Sequence, residues 1–236
     1  MEEPTVVHII QTDMKAVTRI VLVFVLSFFT GILVAQTKIS EGKLMMKFTF
    51  PDSLSDQQRK LVNLLPREQT IWFKNGNTRN ESKSGMGSLI MIHDATTGES
   101  FACMDMMGKK LALKSTKESL SKLRGMMDLG KPNIKTGDET RVIAGLNCRK
   151  ILVTYPDKIP PFEAWFTNDL TAVNSPETLI EGVSGFVMET RTLMRGMILR
   201  STCTSFDKVA VNDSLFKFPE GYKVMDMDQM MNQKPK

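Results

Sequence analysis

The segment "VMDMDQMMNQ" near the C-terminus crowds Met225, Met227, Met230 and Met231 together. Soft thioethers select Cu(I) over harder ions, so these four residues are a candidate copper site, although no histidine or cysteine reinforces them. The competing reading is an amphipathic tail with its methionines docked on the body of the protein. The whole chain holds 18 methionines, and their flexible side chains suit surfaces that accept varied apolar partners. Met46, Met104, Met106 and Met188 fall in strand-like stretches. With Leu44, Phe48 and Trp165 they form a candidate lining for a groove that takes a lipid or acyl chain. Ordinary core filling competes at each position.

Acid–base chemistry has one candidate downstream of the leader, His93 in "MIHDATTG". A histidine beside an aspartate at a strand end is more often a solvated turn residue. There is no G-x-S-x-G, no phosphate-cradling glycine loop, no H-E-x-x-H and no C-x-x-C. The chain therefore reads as non-enzymatic, with no cofactor and no catalytic residue expected. Cys103, Cys148 and Cys203 are an odd set. One disulfide plus a free thiol and three buried thiols acting as small apolar residues are both open.

The compartment follows from "MKAVTRIVLVFVLSFFTGILVAQ", residues 14–36. A basic start at Lys15 and Arg19, an apolar run and small Ala35 before polar residues make a secretory signal, with cleavage near Ala35. The preceding "MEEPTVVHIIQTD" is acidic at its front and reads as an upstream extension, translation starting at Met14. The expected organisation is extension 1–13, signal peptide 14–35, one domain over 36–224 and a Met-rich polar tail over 225–236. Export to the periplasm or the medium is the expected localisation. The net charge of +5 is scattered among acids and forms no basic stripe. Nucleic acid is thus an unsuitable partner, while contact with a membrane surface fits mild basicity.

Most of the chain alternates with the period of strands. "KLMMKFTF" sets Leu44, Met46, Phe48 and Phe50 on one face. "QTIWFKNGNTRNES" and "SLIMIHDATTGESFACMDMMGKKLALKS" read as hairpins turning at Asn75-Gly76, Thr97-Gly98 and Gly108. "TRVIAGLNCRKILVTYP", "FEAWFTND", "GFVMETRTL" and "MILRSTCTSF" continue the pattern from Thr140. Helices are expected after the capping boxes Ser55/Gln58 and Ser115/Glu118, the second running to Leu129, with a short one at Glu177–Glu181. Phe216, Phe218 and Tyr222 read as a closing extended segment. The expected class is mainly β (α+β), a strongly curved antiparallel sheet forming an open half-barrel, with two or three helices over its concave face.

The order "EGKLMMKFTF", "IWFKNGNTRNE", "SLIMIHDATTGESFACMDMMGKKL", "IAGLNCRKILVTYP", "EAWFTNDL", "GFVMETRT" and "DSLFKFPEGYKVM" resembles a GLPGLI-like group of exported bacterial proteins of unknown function. That group is similar in plan to the lipoprotein-carrier (LolA/LolB-like) superfamily. The resemblance spans nearly all of residues 39–227 and implies a half-barrel whose apolar concave side takes acyl chains. The corresponding role is a binding protein that carries or senses a hydrophobic ligand in envelope maintenance. The alternatives are a structural or partner-binding envelope module with no small ligand, and a Cu(I)-binding protein.

Overall fold

Strand β1 (Glu41–Thr49) buries Leu44 and Met46 at alternate positions while Lys47 and Thr49 stay exposed, as a pleated strand with one covered face must. The computed structural model describes residues 38–127, 130–156, 160–171, 180, 182–194 and 197–232. After β1, helix α1 (Asp56–Asn63) leads into β2 (Glu68–Lys74), β3 (Asn77–Ser84), β4 (Gly87–His93), β5 (Ser100–Met106) and β6 (Lys109–Ser115). Helix α2 (Lys117–Met127) precedes β7 (Asn133–Ile143), β8 (Leu146–Thr154), β9 (Phe162–Thr167), β10 (Phe186–Met194) and β11 (Met197–Asp207). A 3-10 turn (Asp213–Phe216), β12 (Lys223–Asp226) and helix α3 (Met227–Asn232) follow.

The strands make one open 12-stranded sheet in the order β12-β6-β5-β4-β3-β2-β1-β11-β10-β9-β8-β7. Two meanders therefore meet at a seam where the first strand, β1, pairs antiparallel with β11, with a bulge between Met45 and Met46. All these pairings are antiparallel except that of β12, which runs parallel to β6. The exception has a simple cause. The C-terminal segment returns across β5, setting the Phe218 ring against that of Phe101, tilted by 55° with centroids 4.9 Å apart, and enters the edge in the same direction as β6. Met225 and Asp226, assigned from sequence to the tail, lie in this strand.

Among the described residues, three two-residue hairpins place both central residues at positive φ, as type I′ turns require: Asn75-Gly76, Met107-Gly108 and Ala144-Gly145. The third splits "TRVIAGLNCRKILVTYP" into β7 and β8, where the sequence pattern reads one continuous run. Alanine seldom takes positive φ, so only Gly145 marks the turn and its first position carries no compositional signal. The expected capping box at Ser55/Gln58 is present. The box expected at Ser115/Glu118 sits one residue later. Thr116 Oγ1 accepts from the Ser119 amide at 3.1 Å, and Ser119 Oγ accepts from the Thr116 amide at 2.7 Å. Ser115 ends β6, and its hydroxyl donates to the Ser100 carbonyl.

Burial concentrates in two clusters. The larger, around the β1–β11 seam, holds Leu44, Met46, Ile71, Phe73, Cys148, Phe186, Met188 and Cys203. The smaller is built on Ile151, Val153, Ala164, Ile180 and Val187. The described residues form one compact unit. The signal peptide and the upstream extension fall outside the described residues, as does all but Ile180 of the helix expected at Glu177–Glu181.

Candidate functional site

Residues directly paired across strands share a face of the sheet, so register alone assembles the site. One row runs Leu44, Ile71, Asn80, Met91, Ala102, Leu113 and Met225, from β1 to β12. The row beside it runs Met46, Gln69, Ser82, Leu89, Met104 and Leu111. Burial falls along both rows. Leu44, Met46 and Ile71 are buried at the seam, whereas Leu89, Met91, Met104, Leu111 and Leu113 are half-buried and Met225 is 37% exposed. The face thus grades from a sealed core into an apolar strip open on one side.

The strip is interrupted by polarity. Thr78, Asn80 and Ser82, all on β3, are buried on this face between apolar strands. Asn80 Oδ1 meets no hydrogen-bond donor, and Thr190 Oγ1 and Ser201 Oγ, paired with each other across β10 and β11, are likewise unpartnered. Ser201 lies opposite Phe48. Buried polar atoms without partners are uncommon because each forfeits its hydration, so they mark where a polar atom of another molecule would be welcome.

The seven residues expected to line a groove divide accordingly. Leu44, Met46, Phe48, Trp165 and Met188 belong to or pack on the seam cluster, Leu44 and Met188 being fully buried. Met104 lies outside that cluster on the half-buried strip, and Met106, 42% exposed, stands at the end of β5. Trp165 occupies a polar row with Lys47, Thr202, Glu189 and Lys150. There the Arg141 guanidinium lies 4.1 Å over its ring and pairs with Glu189 at 2.8 Å, which gives Trp165 a structural occupation. Leu89, Met91, Leu111 and Leu113 were not singled out from sequence. In "SLIMIH" both faces of β4 are apolar, which hides the alternation. The opposite face is more fully covered: Ile92, Cys103 and Ala112 are buried there and Ile90 and Phe101 half-buried, beneath a C-terminal segment whose Leu215 carbonyl accepts from Arg79 Nη1.

His93 is half-buried, its Nδ1 3.0 Å from Ser100 Oγ, and burial lowers its pKa against the opposing pull of Asp94. The Asp94 carboxylate is engaged by the Thr96 and Thr97 amides of the turn. All three cysteines are free, buried thiols. Burial pushes Cys103 and Cys148 up to about 11 and Cys203 to about 12. Met227, Met230 and Met231 share one face of α3 at helical spacing, with Met225 on the preceding strand.

Among solved structures, PNGF-II in a P21 crystal form aligns with 82% of this chain at 16% identity and a TM-score of 0.51. Part of PNGF-II shares this fold. A C2 crystal form of the same protein gives 17% identity over 79% of the chain and a TM-score of 0.49. The chain spans about a third of the length of PNGF-II, 32% and 31% in the two forms. MucB (11% identity, 80% of this chain, 60% of MucB, TM-score 0.36) and the Mycobacterium tuberculosis lipoprotein LppX (13%, 74%, 90%, 0.37) superpose more loosely. Those looser superpositions decide nothing about this chain. No family model and no curated protein matches it.

Proposed function

We propose that this protein is an exported, non-enzymatic binding protein that carries or senses a hydrophobic ligand, a lipid or a lipoprotein's acyl chain, in envelope maintenance. The carrying observation is the half-buried strip of Leu89, Met91, Met104, Leu111 and Leu113, on strands whose other face is covered in part by the C-terminal segment. An apolar surface left half-covered gains by taking an apolar partner, at about 25 cal/mol for each Å² withdrawn from water. The sequence resemblance to the LolA/LolB-like superfamily supports the same reading. So do Asn80, Thr190 and Ser201, whose unpartnered atoms suit the polar end of an amphiphile.

In this reading the sheet is a bent half-barrel with α1 and α2 as its cover. In a flat sheet β6 and β7 would lie ten strand spacings apart, about 48 Å. The link between them, an 11-residue helix with short flanks, reaches about 43 Å fully drawn out. Drawing the edges together removes the mismatch, and open sheets of more than about ten strands usually curl. Because β6 and β7 sit in opposite halves, the link must cross one face. The fully buried Ser119 on α2 fits a helix laid on that face.

The test is lipid extraction and mass spectrometry of natively purified exported protein, with displacement of a fluorescent fatty acid. Met91→Asp and Met104→Asp should weaken uptake at least tenfold while near-UV circular dichroism stays unchanged. A protein that copurifies with no lipid and takes up none, or variants that bind like the parent, would reject the carrier role.

A further inference from the structure

A second place on the molecule has chemistry that the apolar strip does not use. Beyond the end of β1, an open cleft of about 320 Å³ is lined by Thr49, Phe50, Pro51, Arg191, Ile198 and Arg200. Arg191 and Arg200 are directly opposed across β10 and β11, and Thr49 is opposed to Arg200 on the other side. Like charges at directly opposed positions repel, since their Cβ atoms are only about 5 Å apart. Folded chains usually relieve such a pair with a carboxylate. Among the described residues neither arginine has one within ion-pair distance, whereas Lys74, Arg79, Lys114, Arg141 and Lys150 do. Glu189, two positions from Arg191 on the same strand, is committed to Arg141 at 2.8 Å and accepts from Thr202 Oγ1 at 3.4 Å. A third guanidinium, Arg67, lies 5.0 Å over the Phe50 ring at the rim.

We propose that this cleft binds a phosphoryl oxyanion carried on an apolar body. Two opposed guanidinium forks can each present paired N–H donors to a tetrahedral oxyanion, the geometry in which arginine outperforms lysine. The anion would neutralise the repulsion that the sheet otherwise bears. The apolar body is argued from Ile198, which is 55% exposed beside the arginines, and from the Phe50 ring. Arg200 and Arg191 belong to the row of Thr49, and Ile198, two residues from Arg200, lies on the same face, not on that of Leu44 and Met46, so this site is separate from the carrier strip and does not depend on it.

The experiment uses the full chain with two probes: inorganic phosphate followed by calorimetry, and flotation with phosphatidylglycerol vesicles against phosphatidylcholine vesicles. Wild-type protein should bind at least one probe. Arg191→Gln and Arg200→Gln should each weaken that binding about tenfold or more, and Arg200→Lys less, since it keeps charge but not the fork. In phosphate-free buffer the two Gln variants should melt at or above the wild-type temperature, because each removes one of the repelling charges. Phosphate binding without vesicle binding identifies a free oxyanion, and vesicle binding without phosphate binding identifies a lipid headgroup; both support the site. Wild type that binds neither probe, or Gln variants that bind as it does, overturns it. Gln variants that melt well below wild type would also overturn it, by showing that the arginines serve the fold.

Discussion

Replacing Asn80 with valine should stabilise this protein, although it removes a polar group from a strand rich in them. Asn80 is 2% exposed, lies between Ile71 and Met91 in register, and its Oδ1 has no donor. A buried acceptor left unpaired costs about 1–3 kcal/mol. Valine also suits a half-buried strand better than asparagine by up to about 1 kcal/mol. Against this, the bulkier side chain must be fitted beside Ile71 and Met91, which costs about 1 kcal/mol. The balance is a gain of about 2 kcal/mol, or roughly 4–8 °C in melting temperature for a domain near 200 residues. Urea titration of delipidated Asn80→Val beside the parent reads it directly, as a higher midpoint with an unchanged slope. A lower midpoint would refute the reasoning, because it would mean that Asn80 is satisfied in solution and that its face is wet. The lipid-loaded parent should narrow the gap, since a bound polar atom would satisfy Asn80.

Ser55→Ala removes one half of the Ser55/Gln58 capping box on α1 and should cost about 1 kcal/mol of unfolding free energy, with Ser55→Gly closer to neutral. The cysteines set an alkaline limit. Their folded pKa values, about 11 to 12, lie above the ordinary thiol value, so the unfolded chain loses these protons first. Their contribution is intact below about pH 8.5 and declines up to about pH 12, by about 1.4 kcal/mol per pH unit for each thiol at the steepest. Urea titrations of the parent and a triple Cys→Ala variant across this range should diverge in slope. Parallel slopes would mean that the thiols are not protected by burial.

Several elements were legible because their signals are local. The alternation in "KLMMKFTF" makes β1 and chooses its buried face, Asn75-Gly76 makes a type I′ turn, and Ser55 with Gln58 starts α1. Each depends on residues within a few positions of one another, so the sequence by itself determined most of the strands, most turns and the predominance of β-structure. It could not mark Ala144-Gly145, where an ordinary residue takes a rare conformation, nor β12, whose four residues become a strand only against the edge of β6. The rows that join Met46 to Met104, and the opposition of Arg191 and Arg200, were decided by the tertiary structure alone. Which strands become neighbours, and in what register, depends on contacts between residues as far apart in the chain as Met46 and Cys203. The periodicity of a strand says which side chains travel together; only pairing says whom they meet.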